Sequence, residues 1–97
     1  WGINAVIVVN HNGAGNQSKR GFDRVYGGTQ TDKASEMWTF NNVNFAHIAK
    51  HMGAEAIRVE DPKDFAPALE KAIALEKCVV LDVVTDVDAL APLAYTQ

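Results

Sequence analysis

The sequence predicts an α/β fold in which a parallel β-sheet carries helices on both faces. Ala5 to Val9 is a wholly apolar, largely β-branched run, which is typical of a strand buried on both faces of a parallel sheet. A second apolar run spans Cys78 to Val84, and apolar residues recur at helical spacing between the two runs. Strands that alternate with helices favour βαβ units, whose crossovers make the strands parallel.

After the first strand the pattern predicts a long loop and then a helix that begins near Asn42. The side chain of Asn42 is of the type that accepts hydrogen bonds from the free amides of a first helical turn. Gly53 is suited to the left-handed position that ends a helix. The apolar positions of this helix are Phe45, Ile48, Ala49 and Met52.

The second half of the chain predicts a strand, a helix and a final strand. The short strand spans Ala56 to Val59. Asp61 then acts as a helix cap, and Pro62 suits the first helical position because its missing N–H has no partner there. The helix ends near Glu76, with an apolar stripe at Phe65, Leu69, Ala72 and Ile73. The final strand is the run from Cys78 to Val84, and the segment after Thr85 is too irregular to assign.

Composition and charge exclude several classes of function. The 97 residues carry a formal net charge of -3, and basic residues cluster only at Lys19, Arg20 and Arg24, which disfavours a nucleic-acid partner. The longest apolar run is far shorter than the roughly 20 residues that span a bilayer, so we expect no membrane segment. The single cysteine, Cys78, has no intrachain partner for a disulfide and favours a reducing cytoplasm.

The exits of the predicted strands are the places to look for a ligand site. In open parallel sheets, ligands bind outside the carboxyl ends of the strands, here residues 10–16, 60–61 and 85–88. The first exit combines asparagine oxygens, which suit Mg²⁺, with glycines that let the backbone approach an anion. The alternative is that Asn and Gly are the residues best tolerated in turns.

Other candidate residues have simpler interpretations. His47 and His51 lie four apart, a spacing that zinc sites use, but no third ligand is evident. Asp82 interrupts a buried strand, and we expect it to form a structural pair because a buried acid needs a hydrogen-bond partner.

Three segments carry a resemblance to a known family: "AVIVVNHNGAG", "NVNFAHIAKHMGAEAIRVEDPKDFAPALEKAI" and "CVVLDVVTDVDALAP". Together they resemble the C-terminal part of the diphosphate-binding domain of thiamine diphosphate (TPP)-dependent enzymes, most closely the acetolactate synthase-like group. The resemblance covers nearly the whole chain and rests on the order and spacing of several motifs.

The resemblance implies a Mg²⁺ and diphosphate site in the opening loop. In the family, Mg²⁺ is bound by the Asp of an upstream Gly-Asp-Gly motif, by the second of two paired asparagines and by the carbonyl two residues later. An ungapped alignment places His11 and Asn12 on the pair, which makes the Asn12 side chain and the Ala14 carbonyl the implied metal ligands. The implied contacts to the cofactor are Asn10, His11, Gly13, Ala14 and Gly15.

Three departures from the family pattern leave alternatives open. His11 replaces the first asparagine, Asn10 replaces a large apolar residue, and "GGTQTDKASEMWT" lengthens the link to the next helix. In another register Asn10 and His11 form the pair, although histidine is an unusual ligand in an all-oxygen Mg²⁺ shell. The departures also keep open a non-catalytic α/β binding module that retained the fold and lost the metal site. A phosphate-binding response-type or flavodoxin-like domain is a third interpretation.

The implied function is one part of a larger enzyme. The resemblance implies a carboligase or decarboxylase that acts on 2-oxo acids or related acyl donors, with oxalyl- or 2-hydroxyacyl-coenzyme A cleavage as a variant. The Gly-Asp-Gly half and the pyrimidine-binding domain are absent from this sequence, which opens at Trp1 without methionine, so we expect further upstream sequence or a second chain. In the family the pyrimidine domain normally lies on a neighbouring subunit, which implies at least a dimer. We therefore expect the 97 residues alone to be inactive.

Overall fold

The computed structural model describes residues 2–90, except for the side chain of Asp32. The elements in chain order are β1 (Val6–His11), α1 (Asn16–Val25), α2 (Asp32–Ser35), α3 (Phe45–His51), β2 (Glu55–Val59), a 3₁₀ turn (Pro62–Asp64), α4 (Phe65–Ala74) and β3 (Val79–Val84). The strands form one parallel sheet in the order β1-β3-β2. The predicted α/β class with a parallel sheet and flanking helices is thus confirmed. Most of the unassigned tail, from residue 91 onward, lies outside the described residues.

The last strand, β3, is the centre of the sheet. Asp82 on β3 pairs in register with Val9 of β1 on one side and with Arg58 of β2 on the other. β1 is an edge strand, and its residues Ile7 and Val8 are 49% and 48% exposed. An apolar parallel strand with an open edge is a surface that normally pairs with further backbone.

One face of the sheet is covered by α4. Val79 and Leu81 of β3 are completely buried there, together with Ala68 and Ala72 of α4. Small residues on the helix bring its backbone close to the branched side chains of the sheet. The predicted stripe is therefore only partly correct, because Ile73 is 62% exposed while Ala68 takes the place next to the core. Asp61 caps the preceding 3₁₀ turn through Lys63 N at 3.0 Å.

The opposite face of the sheet is covered by α3, which packs through Ala46 and Ala49. The helix begins later than predicted, because the side chain of Asn44 rather than Asn42 caps it by accepting a hydrogen bond from His47 N at 2.9 Å. Gly53 has the predicted left-handed conformation, with φ +89°. The predicted stripe is wrong at Ile48 and Met52, which are exposed.

The first strand extends beyond its predicted end. Residues Asn10 and His11 still pair with Val83 and Val84 of β3, although the apolar run ends at Val9. The strand continues because both polar side chains form hydrogen bonds with β3 or the residue after it: Asn10 with Thr85, and His11 with Asp82.

The predicted long loop contains two helices, α1 and α2. α1 buries none of its residues, which is why no apolar stripe marks it in the sequence. An i,i+4 ion pair joins Lys19 and Asp23 at 3.1 Å on its surface, an arrangement that adds a few tenths of a kcal/mol to a helix. Within residues 2–90, no helix has the length and apolar character needed to cross a bilayer.

Candidate functional site

The three strand exits predicted from the sequence meet at the carboxyl edge of the sheet. They surround a cavity of about 660 Å³. Its lining is mainly apolar, with five polar or acidic residues from the exits. Those five are Asn10, Glu60, Asp61, Thr85 and Asp86. The exits are therefore neighbours in space, as the parallel sheet requires.

The loop after β1 is a tight turn built around Asn12 and Gly13. The Asn12 side-chain oxygen, Oδ1, accepts a hydrogen bond from Ala14 N at 3.0 Å. Gly13 has φ +68°, a left-handed conformation that favours glycine. Ala14 is buried, and no donor in residues 2–90 bonds its carbonyl oxygen. The two oxygens singled out as metal ligands thus lie in one turn.

The long link between β1 and α3 returns to this turn and pairs with it. Gly15 N donates to the Trp38 carbonyl at 2.7 Å, and Phe40 N donates to the Gly13 carbonyl at 2.9 Å. These bonds form an antiparallel bridge between Ala14 and Thr39. The segment around Trp38, whose contacts could not be predicted from the sequence, therefore stabilises the turn through backbone hydrogen bonds.

A second cavity, of about 420 Å³, lies beside the turn. Asn12, Asn16 and Arg20 line it from the β1 exit and α1. Asn10 belongs to both cavities, and its side-chain oxygen accepts a hydrogen bond from Thr85 Oγ1 at 2.6 Å. The side-chain amide of Asn16 donates to the Val87 carbonyl. The exits of β1 and β3 are thereby joined through side chains.

His11 turns away from both cavities and into the protein. Its ring is only 8% exposed, and its Nδ1 lies 2.9 Å from Oδ1 of Asp82. The ring also makes an edge contact with Phe45, with 4.9 Å between ring centroids. Its own carbonyl accepts a hydrogen bond from Thr85 N at 3.0 Å. A cofactor contact by His11 therefore stays a prediction, because the side chain contacts Asp82 and Phe45 instead.

Asp82 is the structural pair that the sequence predicted. The carboxylate is completely buried, and its second oxygen accepts hydrogen bonds from Arg58 Nη1 at 2.8 Å, Phe45 N at 3.1 Å and Ala46 N at 3.4 Å. Glu60, at 2.8 Å from Arg58 Nε, and to a lesser degree Asp82 raise the pKa of the Arg58 guanidinium. Asp82 thus joins all three strands to the first turn of α3.

Ion pairs and hydrogen bonds hold the charged side chains of α1 that lie next to the site. The Lys19 ammonium donates to Asp88 at 2.8 Å and to Asp23 at 3.1 Å. These hydrogen bonds, of which the one to Asp88 has the larger effect, raise the pKa of Lys19. Gln30 and then Lys19 lower the pKa of Asp23. Arg20 is exposed and lines the second cavity, as does Asp86, which carries a charge of opposite sign.

The remaining candidates form no site in the described residues. His51 Nδ1 lies 2.7 Å from the carbonyl of His47, its partner in the i,i+4 spacing. No group of three or more His, Cys, Asp or Glu side chains that could hold a metal occurs in residues 2–90. A metal at the β1 exit would therefore depend on amide and carbonyl oxygens, together with ligands from outside this part of the chain.

Sequence reasoning missed Thr85 and the segment around Trp38. Thr85 bonds both the Asn10 side chain and the His11 carbonyl. Trp38 bonds the loop through its carbonyl and bonds Gln30 through Nε1 at 2.7 Å. Thr85 lay in an exit marked for inspection, whereas no sequence signal marks a backbone carbonyl such as that of Trp38.

Two glycine substitutions are expected to change stability in opposite directions. Gly13→Ala forces a Cβ into the left-handed region, which costs about 1–2 kcal/mol. Gly21→Ala lies within α1 at ordinary helical φ, has open space at its Cβ, and is expected to stabilise by up to about 1 kcal/mol. Urea unfolding of the full-length protein measures both. A Gly13→Ala variant that is as stable as wild type, or more stable, would contradict the described turn.

The fold and the strand exits define an open α/β domain of the class that binds ligands at the carboxyl ends of parallel strands. A model of the family described as thiamine pyrophosphate enzyme, C-terminal TPP binding domain, matches residues 2–83. The chain belongs to this family, which confirms the resemblance at that level. Among curated proteins, no sequence matches this chain significantly.

Proposed function

We propose that this chain supplies the Mg²⁺ and diphosphate half-site of a thiamine diphosphate-dependent carboligase or decarboxylase of the acetolactate synthase-like group. Its substrates are 2-oxo acids or related acyl donors. Membership of the TPP-binding family supports thiamine diphosphate as the cofactor. The observation that carries the proposal is the turn at Asn12, which contains one amide oxygen and one carbonyl oxygen that no donor among residues 2–90 bonds.

The oxygens of this turn fit Mg²⁺ chemically. Magnesium prefers oxygen ligands and keeps part of its shell for water and substrate phosphates. The Asn12 oxygen has a second lone pair after it accepts from Ala14 N, and no donor in the described part of the chain uses the lone pairs of the Ala14 carbonyl. Asn12 and Ala14 would therefore hold the metal, with the Gly-Asp-Gly carboxylate expected from outside this sequence.

The geometry around His11 favours Asn12 over the alternative register. If Asn10 and His11 were the asparagine pair, the second member of the pair, His11, would be a ligand. Its ring is buried against Asp82 and Phe45 instead. Asn10 is bonded to Thr85 at the boundary of both cavities, where its proposed role is to contact the cofactor.

The diphosphate would lie at the start of α1. A helix N-terminus attracts anions because its first amides are unpaired and the helix dipole is positive there. Gly15 caps α1 without a side-chain hydrogen bond, and no acidic residue occupies the first turn. Gly13 and Gly15 keep side chains away from the same turn. When bound, thiamine diphosphate supplies the carbanion chemistry, and the protein supplies position and a dry site.

The remainder of the enzyme is the proposed partner of the open sheet edge. Ile7 and Val8 are about half exposed on β1, and further backbone from upstream sequence or a second chain would cover them. The pyrimidine-binding domain of a neighbouring subunit would complete the site, which makes the enzyme at least a dimer. The free thiol of Cys78 supports a cytoplasmic location.

Cofactor binding by the full-length protein tests the proposed function. Thiamine diphosphate is expected to quench or shift the fluorescence of Trp38, whose carbonyl bonds the turn, and isothermal titration calorimetry measures the same binding. We expect saturable binding with Mg²⁺, loss of binding with EDTA, and recovery when Mg²⁺ is restored. Thiamine without its diphosphate is the control and should bind weakly. Binding that is absent, or equal in EDTA, would favour the non-catalytic module.

A further inference from the structure

The residue immediately before the proposed metal ligand is fixed by a buried contact. His11 Nδ1 lies 2.9 Å from Asp82 Oδ1, and Nδ1 is the donor because a carboxylate only accepts. Asp82 is 0% exposed and His11 is 8% exposed. The contact is therefore shielded from water, where a charge-assisted hydrogen bond is short and strong.

Asp82 is itself held rigidly from the other side. Arg58 Nη1 and the amides of Phe45 and Ala46 all bond its second oxygen, Oδ2. Oδ1 faces His11 instead. The two oxygens thus have separate tasks: Oδ2 joins β3 to β2 and α3, while Oδ1 joins β3 to the last residue of β1.

The main chain of His11 is fixed as well. Its carbonyl accepts a hydrogen bond from Thr85 N at 3.0 Å, one residue beyond the end of β3. Both the ring and the carbonyl of His11 are therefore engaged, the ring by Asp82 and the carbonyl by Thr85. The direction in which the chain enters the turn at Asn12 is consequently set by β3.

We infer that His11, through Asp82, is a positioning residue that aims the Asn12 oxygen at Mg²⁺ and is not itself a ligand. This inference rests on the proposed function of Asn12. The inference gives a structural role to His11, the residue that replaces the first asparagine of the family pattern. What the position requires is a side-chain N–H at the place of Nδ1, within reach of Asp82 Oδ1.

Asparagine satisfies the same requirement as histidine. The side-chain amide nitrogen of asparagine is three bonds from Cα, as Nδ1 of histidine is, so both place a donor at the same distance along the side chain. The resemblance puts asparagine at this position in other members of the family. Histidine at position 11 is then an equivalent donor, with its ring filling additional space against Phe45.

The test compares the Mg²⁺ concentration needed for half-maximal binding of thiamine diphosphate in variants of the full-length protein. His11→Leu removes the donor and is expected to raise this concentration about tenfold or more, as loss of an outer-shell partner does. His11→Asn restores the donor and is expected to stay within about threefold of wild type. If His11→Leu does not fold, His11→Gln replaces it, because its amide extends one methylene too far.

Arg58→Gln is the matched control for a purely structural effect. It removes another partner of the same carboxylate, but on Oδ2, and should lower thermal stability while shifting the Mg²⁺ requirement less than His11→Leu does. The inference is overturned if His11→Leu matches wild type, if Arg58→Gln shifts the requirement equally, or if His11→Asn behaves like His11→Leu. A wild-type protein that binds without Mg²⁺, or an Asn12→Ala variant that binds normally, overturns the proposed function instead.

Discussion

Replacing Asn12 with alanine in the full-length protein is expected to raise the Kd for thiamine diphosphate in the presence of Mg²⁺ by about 100-fold or more. Loss of an outer-shell partner typically costs 10- to 100-fold in metal affinity, and Asn12 is the proposed ligand itself. The substitution removes the only side-chain oxygen that the chain would contribute to the ion. Calorimetric titration with Mg²⁺ present measures the change.

Two further variants separate a lost ligand from a distorted turn. Asn12→Ala also removes the acceptor for Ala14 N, so its effect has two sources. Asn12→Asp keeps an oxygen at this position and should bind within about tenfold of wild type. Asn4→Ala is the matched control, because Asn4 lines a concavity at the opposite end of the strands. An affinity that is unchanged in Asn12→Ala would remove the basis for the metal assignment.

Replacing Asp82 with alanine is expected to lower the free energy of unfolding by about 3 kcal/mol. Removing one partner of a buried charge pair costs 3–5 kcal/mol. The lower figure applies because the Arg58 side chain retains its ion pair with Glu60 in the variant. It is also 24% exposed, so water can solvate its guanidinium. His11 and the two amides of α3 have no such alternative. Urea unfolding of the full-length protein provides the measurement.

Asp86→Ala is the control for the Asp82 variant. Asp86 is exposed, and within the described residues its side chain accepts one hydrogen bond, from Asp88 N at 2.8 Å. Surface changes of this kind are usually within about 0.5 kcal/mol, and loss of one local hydrogen bond adds about 1 kcal/mol. If Asp82→Ala were no more destabilising than Asp86→Ala, the buried contacts at Asp82 would not stabilise the fold.

The strands could be predicted from sequence because their signal is local. The β-branched runs of β1 and β3 identify parallel strands without reference to any partner, although only β3 is buried as expected, since Ile7 and Val8 of β1 are about half exposed. The helix α4 was predicted from its period and from Asp61, which caps the preceding 3₁₀ turn rather than α4 itself. Its core contact is made by Ala68 rather than Ile73. Alanine is a weak sequence signal, yet it allows the closest approach of a helix to a sheet.

The parts that could not be predicted depend on contacts between distant residues. α1 has no apolar stripe and no side-chain cap, so no local pattern distinguishes it from a polar loop. Asn12 was proposed as a metal ligand only from its place in a motif. The orientation of His11 depends on Asp82, 71 positions away, and the shape of the turn depends on the carbonyl of Trp38. Such contacts exist only once the sheet has formed.

The central position of β3 sets the order of events during synthesis. Val6 pairs with Val79, 73 positions later, and Glu55 pairs with the same residue from the other side. At about 5–20 residues per second, β1 waits about 4–15 s on the ribosome for its partner. Until then neither β1 nor β2 has its β3 neighbour, and Asp82 has not yet met His11. The nascent chain therefore exposes the apolar strand β1 throughout this interval, whereas β2, which begins at Glu55, is unpaired only over its last part.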